Sequence, residues 1–372
     1  MPNKNLTNAK REKNDEFYTQ FSDIQKEIEA YLEYNPIVFS EKVVYCNCDD
    51  PYESNFFKYF VLNFDKLKLK QLITTSYKPS PVANTQLELF GNDKPQKKTK
   101  GRPKITANKF IINKVGDLDG DGEFNLKDVA LQLKSNKHNE WSPLEGDGDF
   151  RSEECINLLK QSDIVVTNPP FSLFREYVKQ LVDYNKKFVI IGNMNAIKYK
   201  ILFPLLQENK IWLGAGKNDG RNVWYQVPDY FENFHKEEDG KKFAFVAGTI
   251  WFTNIDHGRR HRPIPLMTEK DVIKFSTKSP FIKYENYDAI EISNVKNIPC
   301  DYKGIMGVPI SFLGKHSPEQ FEIIWQASGN TRASAPSEVL KRLKYRPHPK
   351  DRGGCAILNG KRTYDRIFIK HR

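Results

Sequence analysis

One short run constrains this chain more than any other: Asp163-Ile164-Val165-Val166-Thr167. Its centre shows no polar alternation, so the strand it forms must be covered on both faces. Asn168-Pro169-Pro170-Phe171 follows at once, and then a helical pattern through Phe174, Tyr177, Val178 and Leu181. A doubly buried strand that runs into a helix is a unit of a parallel sheet. Similar units recur. Residues 42–47 read as a buried strand and 53–64 as a helix. Residues 72–75, 110–112 and 187–192 read as strands, and 126–134 and 201–208 as helices. Before them, Phe21, Ile24, Ile28, Tyr31 and Leu32 fall at helical spacing. The expected fold is α/β, a Rossmann-like doubly wound and mostly parallel sheet. Residues 243–246 and 249–253 flank Ala247-Gly248 and read as an antiparallel hairpin. After about residue 256 the alternation stops. We therefore expect one domain over 1–256 and a second region over 257–372. Residues 78–108, rich in Pro, Lys, Asn and Thr, read as a mobile insertion in the first.

With 372 residues, 39% of them hydrophobic, the chain can bury a large core and a smaller second one. Lys and Arg number 58 against 47 Asp and Glu, a net charge of +11 that favours a polyanionic partner. Much of the excess lies in the tail, 341–372, at Lys341, Arg342, Lys344, Arg346, Lys350, Arg352, Lys361, Arg362 and Arg366. There Ala356-Ile357-Leu358-Asn359-Gly360-Lys361-Arg362 carries an Asn-Gly hairpin signal. The five cysteines are irregularly spaced, and Cys46-Asn47-Cys48 is too tight for a zinc knuckle. No metal is expected in the chemistry, and a reducing cytoplasm is the expected location. No apolar run approaches the ~20 residues of a membrane span, so no membrane partner is expected.

Ligands of a parallel sheet bind at the carboxyl ends of its strands, which is where Asn168 stands. Its neighbours suit a planar amine such as the N6 group of adenine. The lone pair of that nitrogen is delocalised into the ring, which makes it a poor nucleophile. Acceptors aimed at its two hydrogens pull the nitrogen toward a tetrahedral form and free the pair. The Asn168 side-chain oxygen and the Pro169 carbonyl can do this together. Pro169 and Pro170 hold the loop rigid, as a preorganised site requires. Phe171 offers an aromatic face to a base taken out of its stack.

This tetrapeptide resembles the catalytic motif of amino-group methyltransferases. Other segments, in order, are similar to the EcoRI-type adenine-specific DNA methyltransferase family of class I enzymes. They are Lys13-Asn14-Asp15-Glu16-Phe17-Tyr18-Thr19-Gln20, Cys46-Asn47-Cys48-Asp49-Asp50-Pro51 and Gly146-Asp147-Gly148-Asp149-Phe150-Arg151-Ser152. Gly248-Thr249-Ile250-Trp251-Phe252-Thr253-Asn254 and Met306-Gly307-Val308-Pro309-Ile310 continue the series. The resemblance implies S-adenosyl-L-methionine as cofactor and transfer of its methyl group to adenine N6 in double-stranded DNA. It also implies the cofactor contacts. Phe17, Tyr18 and Thr19 would close over the methionine end. Asn47, Asp49, Asp50 and Pro51 would replace the usual glycine-rich loop, and Asp149 and Phe150 would clamp the cofactor's adenine. Asn168 would touch both cofactor and target. Thr75 or Ser76 would stand in for an acidic ribose ligand.

The target base must be flipped, at a cost of about a few kcal/mol. Phe171 would flank it on one side and Trp251 or Phe252 on the other, unless the latter two are simply core residues. Arg259 and Arg260 in Gly258-Arg259-Arg260-His261-Arg262 are candidates for DNA contact, as are the cations of the tail. A monomer suffices, and a restriction endonuclease acting on the same site without direct contact is an expected companion. Two further motifs stand apart. Lys100-Gly101-Arg102-Pro103-Lys104 resembles a minor-groove hook, or is a solvated basic segment. Residues 117–128 have calcium-loop spacing, or form an acidic turn that caps the next helix. The rival functions are methylation of RNA or of a protein glutamine amide, and DNA binding by a decayed enzyme.

Overall fold

The computed structural model describes residues 19–48, 54–76, 107–122, 124–125, 128–129, 131, 138–216, 223–227, 234–246, 248–276 and 281–372. It divides into two units, Met1–Asn193 with Arg221–Ile255, and Met194–Gly220 with Asp256–Arg372. The hook motif and most of the 78–108 segment lie outside the described residues.

The first unit begins with α1 (Phe21–Tyr34), which buries Ile24, Ile28 and Tyr31 on one face, as their spacing predicts. Glu27 is buried on the same face, where its carboxylate accepts from the Tyr31 hydroxyl at 2.6 Å. Burial, with the Glu27 charge adding to it, raises the Tyr31 pKa and keeps that proton in place. Then follow β1 (Val43–Cys46), α2 (Asn55–Leu62), β2 (Gln71–Thr75), β3 (Asn108–Ile112) and β4 (Glu140–Pro143). Next come α3 (Glu153–Gln161), β5 (Ile164–Thr167), α4 (Phe174–Asp183) and β6 (Lys187–Asn193). In the second unit, α5 (Leu202–Gln207) precedes β7 (Trp212–Leu213), and the first unit resumes with β8 (Val223–Val227), β9 (Lys236–Glu238), β10 (Lys241–Val246) and β11 (Thr249–Thr253).

Seven strands of this unit run in the order β4-β3-β2-β1-β5-β6-β11. The centre, β2-β1-β5-β6, is parallel. Its strands have the unbroken apolar runs that double burial demands: β1 and β5 are buried at every position. The flanks β4-β3-β2 and β6-β11 are antiparallel. The sheet is thus mixed, with flanking helices, a Rossmann-like arrangement.

One detail differs from the sequence reading. β10 and β11 do not pair as a hairpin. β10 joins β8 and β9 in a separate three-stranded sheet, whereas β11 lies along β6 from Thr249 opposite Asn193 to Thr253 opposite Val189. All five residues of β11 are buried, so it belongs in a covered sheet, and β6 offers an apolar neighbour. A glycine turn brings two strands close in sequence but does not choose their partners.

The second unit is built on β12 (Ile290–Glu291), β13 (Met306–Pro309), β14 (Phe321–Ala327) and β17 (Arg366–His371), in the order β12-β13-β17-β14. Phe203 of α5 packs edge-on against Trp325 of β14, with ring centroids 5.1 Å apart. The hairpin of β15 (Ile357–Leu358) and β16 (Lys361–Arg362) turns at Asn359 and Gly360, whose φ angles of 49° and 66° are those of the expected tight turn. A buried ion pair crosses the sheet region: Arg366 meets Glu291 at 2.8 Å, and Glu291 also accepts from the Tyr284 hydroxyl. Removing the guanidinium would strand a carboxylate that is only 6% exposed. Arg366→Ala is therefore expected to lower stability by about 3–5 kcal/mol in urea denaturation. A loss below about 1 kcal/mol would mean that Glu291 readily reaches water.

Candidate active site

The site forms where β1, β2 and β5 end. β1 and β5 pair in register, Val44 with Ile164 and Tyr45 with Val165, so Asn47 and Thr167 end side by side. The Thr167 hydroxyl donates to the Asn47 carbonyl and ties the two ends together. A second chain of hydroxyls ties β1 to β2. Thr75 Oγ1 donates to Asn47 Oδ1 at 3.1 Å, which leaves the Tyr45 hydroxyl to donate to Thr75 at 3.0 Å. Burial holds the Tyr45 pKa well above its ordinary value, so this donor persists. Thr74 Oγ1 donates to the Cys46 carbonyl at 3.0 Å. Asn47, Thr74, Thr75 and Thr167 are all essentially buried. Polar groups at such depth must find partners, and these find each other across three strands.

Asn168 begins one residue beyond this tie and is half-buried, as are Pro170 and Phe171, while Pro169 is buried. Pro170 sits at φ -54° and ψ 121°, and its carbonyl accepts from Leu173 N at 3.0 Å. That bond opens the single 3-10 turn Phe171–Leu173, which leads into α4. Phe171 packs against the main core of the unit while keeping part of its surface exposed. The sheet thus presents the amide of Asn168 and the ring of Phe171 on a short rigid loop.

The segment expected to clamp the cofactor's adenine reaches the same edge by another route. Gly148 has φ +77°, and a Cβ there would fall 2.0 Å from the Ser76 carbonyl, just past β2. Only glycine permits so close an approach in that conformation. Asp149 follows, its carboxylate gripped by the Arg151 fork at 2.9 and 2.7 Å, and Arg151 also reaches Glu176 of α4 at 2.8 Å. The Asp149 bonds, chiefly, raise the Arg151 pKa. Gln180 Nε2 of α4 donates to the Phe150 carbonyl at 3.0 Å. The Phe150 ring is 2% exposed and packs edge-on against Tyr177 at 5.0 Å. In this structure its face belongs to the core, and Asp149 is already bound by a guanidinium.

Other candidates separate in the same way. Phe17, Tyr18, Asp49, Asp50 and Pro51 lie outside the described residues. Thr19 is buried, and its carbonyl accepts from Asn55 Nδ2 at 2.7 Å, which fixes it at the start of α2 beyond β1. Thr75 and Ser76 are both buried, and Ser76 Oγ accepts from Asn108 N at 2.9 Å. Trp251 packs edge-on against Phe56, and Phe252 packs on Phe174 and is fully buried. β11 is buried at every position, so both rings are packed within the core, whereas Phe171 keeps part of its surface exposed.

In the second unit, Arg260 is 8% exposed, lies 3.8 Å over the Trp212 ring and pairs with Asp256 at 3.1 Å. A guanidinium so buried holds the fold rather than a phosphate. Arg259 stays exposed and donates to the Gly216 carbonyl at 2.9 Å. In the 117–128 loop, Asp117, Asp119 and Asp128 gather within 4.8 Å. Asp117 accepts from Gly120 N and Gly122 N, and Asp128 from Leu118 N, Asp119 N and Asn125 N.

Sequence reasoning did not single out Tyr45, Thr167, Gly148 or Arg151 as site-builders. Thr167 left a trace, a hydroxyl ending an otherwise apolar strand. The others depend on contacts far along the chain.

S-adenosylmethionine needs polar partners for its methionine and ribose ends. Thr19 Oγ1 and Gln20 Nε2 are buried without a hydrogen-bond partner among the described residues. Orphaned polar atoms beside the end of β1 fit a polar ligand that completes them. Gly148→Ala should therefore weaken S-adenosylmethionine binding about tenfold or more by calorimetry, because the added methyl forces residues 148–150 off the strand end. Gly146→Ala, with nothing within 4 Å of its Cβ, should leave it unchanged. Equal affinity in both variants would refute this coupling.

The sequence matches the family described as "Adenine-specific methyltransferase EcoRI" over residues 5–372. It is 42% identical to the type II methyltransferase M.EcoRI of Escherichia coli, over 100% of this chain and 97% of that one. It is 36% identical to the type II methyltransferase M.MpnI of Mycoplasma pneumoniae, over 98% and 97%. It is 33% identical to the type II methyltransferase M.MgeORF184P of Mycoplasma genitalium, over 97% of each. No solved structure matches the chain. The motif after β5, the tied strand ends and matches along nearly the whole chain agree: this protein belongs to the EcoRI adenine-specific DNA methyltransferase family, S-adenosylmethionine-dependent enzymes that methylate adenine N6 in DNA.

Proposed function

We propose that Asn168 Oδ1 and the Pro169 carbonyl accept hydrogen bonds from the N6 amino group of a flipped adenine, with Phe171 against the base. The tie between Thr167 and Asn47 carries this reading, because it fixes the residue from which the loop springs to the strand end beside it. When bound, S-adenosylmethionine supplies a methyl group already activated by its sulfonium. What the chain must add is position and electronic release of the N6 lone pair. Pro169 and Pro170 restrict the loop, so little reorganisation is needed when the base arrives. Thr19 and Asn47 lie on the cofactor side in this proposal, flanked in sequence by Phe17, Tyr18, Asp49, Asp50 and Pro51. Asp149 and Phe150 would serve the cofactor's adenine only if Arg151 releases the carboxylate and the ring turns out of the core.

The first 256 residues would carry the chemistry and 257–372 the recognition of a specific duplex sequence. A restriction endonuclease directed at the same site, without direct contact, fits a site-specific modification enzyme. Flipping one base needs one active site, so a monomer in the cytoplasm is the simplest working form. Among the described residues no helix is long and apolar enough to cross a membrane.

Radiolabelled methyl transfer to unmethylated duplex DNA, followed by nucleoside analysis, tests the central claim. The wild type should yield N6-methyladenine. Asn168→Ala should lose on the order of 10²–10³-fold in rate, as expected when a preorganised acceptor is removed. Label in RNA or protein instead of DNA would overturn the reading.

A further inference from the structure

The basic tail contains two kinds of cation. Arg342 is held by Glu322 at 2.6 Å, Lys344 by Asp288 at 2.7 Å and Arg366 by Glu291 at 2.8 Å. These charges are spent inside the unit. Lys350, Arg352, Lys361 and Arg362 behave differently. All four are exposed, and none makes an ion pair among the described residues. They line one open depression of about 800 Å³, together with Tyr364. The acidic residues nearby in sequence are engaged elsewhere. Asp351 accepts from the Tyr345 hydroxyl and Gly354 N, and Asp365 pairs with Lys198 at 2.8 Å. Glu285 takes the Gly360 N–H and meets His348 at 3.1 Å.

The hairpin of β15 and β16 builds this arrangement. Its Asn359-Gly360 turn places Lys361 and Arg362 directly after the bend. Gly360 has no side chain, and a Cβ there would sit 3.4 Å from Lys350 Nζ, so the lysine head lies over the turn. Tyr364 is 89% exposed, more than any other large hydrophobic side chain among the described residues. Four like charges converging without a counter-ion repel one another, so the fold gains nothing by gathering them. A polyanion relieves that repulsion, and an exposed aromatic ring set among the cations adds a stacking or wedging contact to it.

We propose that Lys350, Arg352, Lys361 and Arg362 form a phosphate-binding seat for the backbone of duplex DNA, with Tyr364 making an aromatic contact to the same duplex. The proposal rests on the reading of the protein as a DNA methyltransferase and adds where the second unit grips its substrate.

The test is binding of fluorescein-labelled duplex DNA of mixed sequence to the full chain across a series of salt concentrations. Each phosphate contact removed should reduce the slope of log affinity against log salt by about 0.9. The variant carrying Lys350→Gln, Arg352→Gln, Lys361→Gln and Arg362→Gln should bind roughly tenfold weaker or worse, with a slope shallower by about 2–4. The charge-keeping variant Lys350→Arg, Arg352→Lys, Lys361→Arg and Arg362→Lys should retain most of the slope. A control with Lys42→Gln, Lys66→Gln, Lys68→Gln and Lys70→Gln removes the same charge near the amino ends of β1 and β2, away from the catalytic edge, and should change the slope far less. Tyr364→Ala should weaken binding about tenfold at unchanged slope, and Tyr364→Phe should not. Calorimetry with S-adenosylmethionine and thermal melting confirm that each variant is folded. If the wild type binds DNA and the neutral variant matches it, or matches the lysine control, the seat is refuted while the enzyme reading stands. If the wild type neither binds nor methylates duplex DNA, that reading fails first.

Discussion

Two adjacent parallel strands buried on both faces, β1 and β5, set everything else in the first unit. Strands paired in register end at the same edge, and a buried end cannot leave its carbonyls and hydroxyls to water. Thr167 answers by donating to the Asn47 carbonyl, and Tyr45 and Thr75 complete the network from below. The next residue, Asn168, follows directly on this tie. Two prolines then carry the chain into a single 3-10 turn and α4. The chemistry proposed for the loop depends on this economy. An amide oxygen can select the lone-pair geometry of an amine only if it is held still, and the sheet holds it.

Burial also divides residues of one type into different roles. Trp251, Phe252 and Phe150 are aromatic and lie near the motifs, yet each is absorbed by the core. Of the described candidates, Phe171 keeps some surface. The arginines divide likewise. Arg260 and Arg366 are desolvated and paired, and removing Arg366 would strand the buried Glu291, whereas Arg352 and Arg362 stand in water beside lysines. Charge on a sequence counts residues, but function depends on which charges have no carboxylate to neutralise them.

Much was legible beforehand because the signals are local. The all-apolar run of β5 required double burial, and the helical spacing of Ile24, Ile28 and Tyr31 placed the buried face of α1. Asn359-Gly360 specified a tight hairpin, since few other residue pairs tolerate positive φ at two successive positions. The tetrapeptide and its companion segments carried the family, which the comparisons along the full length bear out.

Other features were decided only by the tertiary structure. Periodicity reports that a strand is covered, not which strand covers it, so the antiparallel flanks and the pairing of β11 with β6 could not be read. The buried pair of Glu291 and Arg366 joins residues 75 apart, and no local pattern announces it. Gly148 looks like any glycine until the Ser76 carbonyl is found where its side chain would be. The sequence by itself determined the fold class and the family, because these rest on patterns and motifs along the chain. The strand partners, the core or surface fate of each aromatic and the sorting of paired from open cations rest on neighbours in space, which only folding supplies.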